Sequence, residues 1–491
     1  MSQRRYADGY RKLRRADAPR RVAFEVLSEV TSSGAFANIV LPKALRRIRR
    51  EEPFDDRDAA FTSELVHGTL RARGRLDWIL ARHVSRPLGD LDPEVLDLLR
   101  LGAHQLLDMR VPDHAAVSAT VDVAREHLTD GRVRMVNAVL RAVAREEVGR
   151  MDEEIARIED GDARLAVAHS HPEWMVRAFR GALAAHGYDE AELEDVLAAD
   201  NEAPIVSLAA RPGLIGVEEL CEEAEDVLSA RVATGLVSRC AVLLASGDPA
   251  RLPSIRQGLA GVQDEGSQLA AQICAEAPLI GRGDSSWLDL CAGPGGKAAL
   301  LGALAAGRGA HVVANEIHPH RARLVERTTR ALGTVEVVSG DGRTFGGQGT
   351  QWPLGSFDRV LVDAPCTGMG SMRRRPESRW RRAPGDVDGL VELQERLVDR
   401  ARALTRRGGV MTYVTCSPHR GETRDQVERL LGAGGWELLD AVALADSLAV
   451  EPLAVPDCAG RVDGGGAGRT LQLWGHRHGT DSMFVAVLRR L

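Results

Sequence analysis

Ser286-Trp287-Leu288-Asp289-Leu290-Cys291-Ala292-Gly293-Pro294-Gly295-Gly296-Lys297 decides what kind of sheet this chain folds into. Ser286 to Leu290 is a short apolar run of strand type. It passes straight into a glycine-rich turn and a helix opening at Ala298. Glycines at such a turn let the backbone come close to a ligand at the edge of a sheet. Taken alone, Gly293-x-Gly295-x-x-Ala298 also fits a dinucleotide-binding turn, a weak motif in isolation. A phosphate-binding Walker loop is excluded, because Cys291 stands where its first glycine belongs and Ala298 where Ser or Thr is required.

Outward from this turn, strands and helices alternate. His311 to Asn315 reads as a second strand ending in Glu316, placed to take two ribose hydroxyls. Val335 to Ser339 reads as a third, ending in Gly340-Asp341, a carboxylate that can accept from an adenine amino group. Two further β-rich runs, Val360 to Val362 and Val410 to Val414, lead into Asp363-Ala364-Pro365-Cys366-Thr367-Gly368 and Thr415-Cys416-Ser417. In a parallel sheet Cys366 and Cys416 then meet at the carboxyl edge, where open α/β folds bind ligands. Acidic strand ends with Lys297 as the one basic residue expected nearby suit a nucleoside without phosphates, and S-adenosylmethionine is such a ligand. Lys297 is one of three lysines, against sixty-one arginines.

A methyl donor beside two thiols specifies a chemistry. Carbon 5 of a pyrimidine is a poor nucleophile, but a thiolate adding to carbon 6 turns it into an enamine that can take up a methyl group. Loss of the carbon-5 proton and elimination of the thiol must follow. One cysteine can add while the other assists release. Asp363 is placed to bind the ring N3 and amino group, and to supply the N3 proton if its pKa is raised in a closed pocket. The thiolate needs a positive neighbourhood, which the arginine run after Cys366 can help provide.

Composition bounds the rest. A chain of 491 residues with 44% hydrophobic residues and no bilayer-length apolar run is expected to form two to four domains. Met1 to Arg21 is arginine-rich without an apolar signal segment, so a cytoplasmic location is expected. Seven cysteines without CxxC spacing read as free thiols, with neither a disulfide framework nor a metal site. Cys221, Cys240, Cys274, Cys291 and Cys458 read as small buried hydrophobes. The net charge is −6, yet residues 1–50 hold thirteen Arg and Lys against four Asp and Glu. Arg373, Arg374, Arg375, Arg379, Arg381 and Arg382 crowd the stretch after Cys366; of these, Arg373, Arg374, Arg375 and Arg379 are the expected RNA contacts.

The chain divides into a basic, disordered tail (1–17), an all-α domain (18–150), a helical connector (151–203), a small α/β subdomain (204–261) and a doubly wound α/β domain (262–491). Val95, Leu98, Leu99, Gly102 and Leu106 mark one helix face of the all-α domain, and Val136, Val139, Leu140 and Val143 another.

Asp-Ala-Pro-Cys-Thr-Gly, Thr-Cys-Ser and Cys-Ala-Gly-Pro-Gly-Gly-Lys together resemble the Sun-type RNA cytosine-C5 methyltransferases, and the likeness runs from Gln263-Asp264-Glu265-Gly266-Ser267-Gln268 to His478-Gly479-Thr480-Asp481. The N-terminal helices, including Ala18-Pro19-Arg20-Arg21-Val22-Ala23, are similar to the RNA-binding protein NusB. That fusion points to the ribosomal RNA small-subunit methyltransferase B kind. The resemblance implies a class I, Rossmann-like S-adenosylmethionine methyltransferase domain, with small-subunit (16S) ribosomal RNA as substrate and a monomeric enzyme. It implies Cys416 as nucleophile, Cys366 as the residue that helps release product, and cofactor contacts from Cys291 to Lys297, Glu316, Asp341 and Asp363. The DNA cytosine methyltransferases use their Pro-Cys cysteine instead, so chemistry alone leaves the two roles exchangeable. Gly293, Ala298, Thr423 and Ser482-Met483 depart from the family pattern. Other readings are a tRNA or DNA cytosine methyltransferase, a non-catalytic assembly factor, which would need neither thiol, and an NAD dehydrogenase, which Pro294 and the acidic lining disfavour.

Overall fold

The structure, a computed structural model, describes residues 16–281 and 283–491. The tail expected over 1–17 lies outside it except for Ala16 and Asp17. The chain forms two compact units: the residues up to Arg177 with Met372–Arg381, and Ala178–Ser371 with Arg382–Leu491.

The first unit is helical, built on Ala18–Ser33, Ala37–Glu51, Asp56–Arg71, Arg73–Leu80, Pro93–Leu107, Asp113–His127 and Asp130–Val143. Local chemistry sets the ends: Asp17 accepts from Arg20 N (3.1 Å), and Gly34 stops the first helix in the left-handed conformation (φ 69°). The faces marked by Leu98, Leu99, Val136 and Leu140 are buried in one core with Val22, Leu65 and Ile79.

Met372–Arg381 completes this unit, against the expectation that it belongs with the α/β domain. Buried Glu377 accepts from Ala37 N (2.9 Å), and Arg381 donates to the carbonyls of Val30, Gly34 and Ala35 where the first helix ends. Arg375 and Arg381 lie over the Phe36 ring at 4.8 and 5.0 Å. Arg379 has no exposed surface and donates to Ser170 O (3.2 Å). Within this run, read from sequence as an RNA contact, Arg373 and Arg379 are buried and Arg374 is half-buried, while Arg375 packs on Phe36 and stays exposed. The boundary between the units falls at Arg177, within the segment 151–203 read as a helical connector.

The second unit carries two sheets. The smaller is antiparallel, in the order β2-β3-β1-β4, with β1 Val206–Ala210, β2 Val232–Thr234, β3 Ala241–Leu244 and β4 Ala260–Val262. The larger holds β5 Ser286–Asp289, β6 His311–Glu316, β7 Val335–Ser339, β8 Phe357–Asp363, β9 Thr405–Thr415, β10 Trp436–Leu438, β11 Leu471–Gln472 and β12 Phe484–Arg490. Its order is β10-β12-β9-β8-β5-β6-β7, with β11 on β12. The five strands from β7 to β9 are parallel, and β12 runs antiparallel to β9 and β10. Alternate residues feed a core on each face: Trp287, Val312 and Leu361 one, Leu288, Val313 and Val360 the other. Strand order reverses between β5 and β8, so the crevice opens at their carboxyl ends. Among the described residues no helix is long and apolar enough to cross a membrane.

Candidate active site

The crevice gathers residues at the ends of the five parallel strands. β5 ends at Asp289, whose carboxylate is fully buried with no hydrogen-bond partner on either oxygen; the Cys291 N–H lies near it without closing a bond. Burial, with Asp363 nearby, pushes Asp289 up to about 7 against the pull of Lys297. The turn that follows is held by Glu316 at the end of β6, which accepts from Gly293 N (3.1 Å) and His318 N (2.9 Å). Gly293 fits this arrangement, since a methyl there would stand 2.0 Å from Glu316 Oε2. Gly295 caps the next helix at φ 112°, and a side chain there would meet the Val325 backbone at 3.0 Å.

Two basic groups reach the acidic strand ends besides Lys297, which corrects the expectation that it stands alone. Arg321 donates to Gly293 O (2.6 Å) and lies 3.6 Å from Glu316, and Arg343 forms a fork on Asp341, with Nη2 at 2.6 Å. That fork holds Asp341 below its ordinary range, so its carboxylate is already engaged.

Lys297, in the first turn of the helix Gly296–Ala306, sends Nζ to Asp363 Oδ2 at the end of β8 (2.9 Å). Burial lowers Lys297, but Asp363 and then Cys416 more than restore it, leaving it above its ordinary value. β8 and β9 run side by side, Asp363 opposite Val414, so the loops leaving them bring Cys366 Sγ and Cys416 Sγ to 3.4 Å. The pair is asymmetric. A hydrogen bond from Cys366, with Lys297 nearby, holds Cys416 below the usual thiol range despite burial and Asp363. The Cys416 sulfur and burial push Cys366 well up.

Glu422, which sequence reasoning missed, ties the two cysteine loops together. Fully buried, it accepts from Thr367 N (2.7 Å), Thr367 Oγ1 (2.6 Å), Ser417 Oγ (2.6 Å) and Gln394 Nε2 (3.2 Å). Thr367 follows Cys366 and Ser417 follows Cys416. A Glu in the short polar stretch after Thr-Cys-Ser was the available signal. Gly370 N donates to Cys416 O and Ser482 N to Gly370 O (2.9 and 2.8 Å), closing the network from the Ser482 side. Of the cysteines read as buried, Cys240 and Cys274 are buried, Cys221 and Cys291 are half-buried and Cys458 is exposed. Among the described residues no cluster of three or more His, Cys, Asp or Glu is placed to hold a metal.

A Rossmann-like sheet with this crevice, carried on one chain with a NusB-type helical unit, defines a fused methyltransferase. The chain belongs to the 16S rRNA methyltransferase RsmB/F family, whose pattern matches residues 278–489, while the NusB family matches 17–145. It is 47% identical over 477 residues to Mycobacterium tuberculosis (strain ATCC 25618 / H37Rv) Rv1407, which carries a methyltransferase name, covering 97% of each chain. It is 32% identical to the ribosomal RNA small subunit methyltransferase B of Erwinia tasmaniensis over 84% of this chain and 89% of that one. Among solved structures, PH0851 superposes with a TM-score of 0.77 at 18% identity, over 97% of this chain and 99% of that one, a likeness of fold.

Proposed function

We propose that this chain is a cytoplasmic, monomeric enzyme that makes 5-methylcytosine in 16S ribosomal RNA through a covalent bond between Cys416 and carbon 6 of the base. The observation that carries the proposal is the pair of sulfurs at 3.4 Å beside the Lys297–Asp363 ion pair, with Cys416 the more acidic thiol. The residues fit S-adenosylmethionine: Asp289 offers two buried acceptors without partners, and the turn from Cys291 to Lys297 presents backbone to the crevice. Glu316, Asp363 and, after rearrangement of its Arg343 fork, Asp341 complete the contacts. When bound, S-adenosylmethionine supplies the electrophilic methyl group that carbon 5 takes up.

The chain's own groups perform the remaining work. Cys416 Sγ, as thiolate, adds to carbon 6, and the displaced electron pair is met at N3 by a proton from the Asp363 carboxyl, which takes it back when the thiol leaves. Lys297 keeps Asp363 oriented and favours negative charge on Cys416. After methylation Cys366 takes part in removing the carbon-5 proton, so that the C6–S bond breaks and Cys416 leaves as thiolate. The base must be flipped out of its stack to reach these groups.

A denaturing gel of protein mixed with 16S ribosomal RNA and S-adenosylmethionine tests this assignment. A protein–RNA adduct is expected to accumulate in Cys366→Ala and to be absent from Cys416→Ala. The opposite pattern exchanges the two roles, and no adduct and no methyl transfer by wild type removes the enzymatic reading.

A further inference from the structure

A groove of about 520 Å³ lies beside the cofactor turn, walled by β1 and β4 on one side and by the helices Gly296–Ala306 and Pro319–Thr329 on the other. Pro294 and Gly296, from the cofactor turn, also line it. Four arginines line it, Arg211, Arg256, Arg327 and Arg330, and no carboxylate does. None of the four forms an ion pair among the described residues, whereas many arginines elsewhere in the chain do.

Their placement is built rather than incidental. Arg211 is 3% exposed and is fixed by donating to Thr328 O (2.7 Å) and Gly258 O. Arg330 Nε reaches Gln257 O (3.4 Å), in the same turn. A methyl on Gly258 would stand 3.5 Å from Arg330 Nε and 3.6 Å from Arg211 Nη1, so two guanidinium groups converge on one piece of backbone. Burial and Arg330 pull Arg211 down to about 10, which still leaves it charged at neutral pH. Arg256, Arg327 and Arg330 remain solvent-accessible at the rim. Gathering like charges without a carboxylate costs energy that a bound polyanion offsets, and guanidinium forks match phosphate oxygens two at a time.

We infer that this groove holds the phosphodiester backbone of the RNA substrate, next to the nucleotide that enters the crevice. The inference rests on the RNA-modifying function proposed above. It adds a phosphate contact on the wall of the cofactor turn. Phosphate contacts position a nucleic acid without reading its sequence, so the groove sets affinity and register while the thiols set chemistry.

The test uses the full chain with Arg327→Ala/Arg330→Ala and a triple variant adding Arg256→Ala; Arg211 is kept because it ties backbone together. Binding of a 16S ribosomal RNA transcript is measured across salt concentrations, alongside S-adenosylmethionine affinity and steady-state kinetics. Each lost phosphate contact is expected to flatten the slope of log K against log salt by about 0.7–0.9. KM for RNA is expected to rise on the order of tenfold in the double variant, with kcat and cofactor affinity unchanged and with Arg→Lys replacements recovering much of the slope. Unchanged slope and KM in variants of an active wild type overturn the groove alone. Loss of cofactor affinity in step with RNA affinity overturns it too, since the arginines would then be supporting the glycine turn. A wild type that neither binds RNA nor transfers methyl removes the RNA reading and the groove with it.

Discussion

Cys416 and Cys366 differ by where one proton sits. With Cys366 as its hydrogen-bond donor and Lys297 nearby, Cys416, the proposed nucleophile, is held below the ordinary thiol range. Cys366→Ala removes that donor, so the alkylation rate of Cys416, followed by mass spectrometry of its peptide, should need a higher pH to reach its plateau. A profile that stays in place would show that Lys297 alone sets the thiol. Asp289 makes a second, opposite prediction. Its folded value of about 7 lies above the unfolded value, so the folded state holds the proton more tightly. The stability this contributes is complete below roughly pH 4 and is lost as pH rises through about 7. Asp289→Asn should therefore gain on wild type between pH 5 and pH 8, by roughly 2–4 kcal/mol, in denaturant titrations of the cofactor-free protein. The sequence made the strand-end acids and thiols legible because each follows an apolar run. Arg321 and Arg343 were not, because their reach depends on helix and turn geometry across strands.

At the scale of elements, the two cysteine loops are spaced by one carboxylate. Glu422 collects four donors from the loop after β8, the loop after β9 and the helix Gly385–Leu404. Glu422→Ala strips Thr367 N of its acceptor and leaves the Thr367 and Ser417 hydroxyls only each other and Gln394 only Pro365 O, and is expected to cost roughly 2–4 kcal/mol. Glu422→Gln, which keeps the volume, should retain more stability yet still slow adduct formation, with cofactor affinity unchanged. Equal adduct rates in wild type and Glu422→Gln would mean that the loops hold their spacing without it. Strands were the most legible elements: β6 and β7 fall where the apolar runs end in Glu316 and Ser339. The antiparallel β12 was not foreseen, since Phe484 to Leu488 is apolar throughout and a run buried on both faces has the same pattern whichever way it points.

For the whole molecule, the chain passes between its two units three times, at Arg177, Ser371 and Arg381. Local periodicity can place each helix of the first unit, but it carries no sign that Met372–Arg381, ten residues from the far side of the sequence, belongs to the same compact unit. A fragment ending at Arg177 should melt lower than the helical unit in the intact protein, by about 2–4 °C for each kcal/mol lost. A synthetic peptide of residues 372–381 added to it should recover part of that loss; a melt indifferent to the peptide would show the segment to be dispensable. This arrangement also orders events at the ribosome. The first helices emerge early, yet the carbonyls of Val30, Gly34 and Ala35 and the face of Phe36 wait for Arg375 and Arg381, translated roughly 10–40 s after Arg177 at ordinary rates of about 5–20 residues per second. Until then the nascent N-terminal unit is an unfinished body, and it is completed when four of the eight strands of the larger sheet, β5 to β8, have been synthesised and before β9 and Cys416 have.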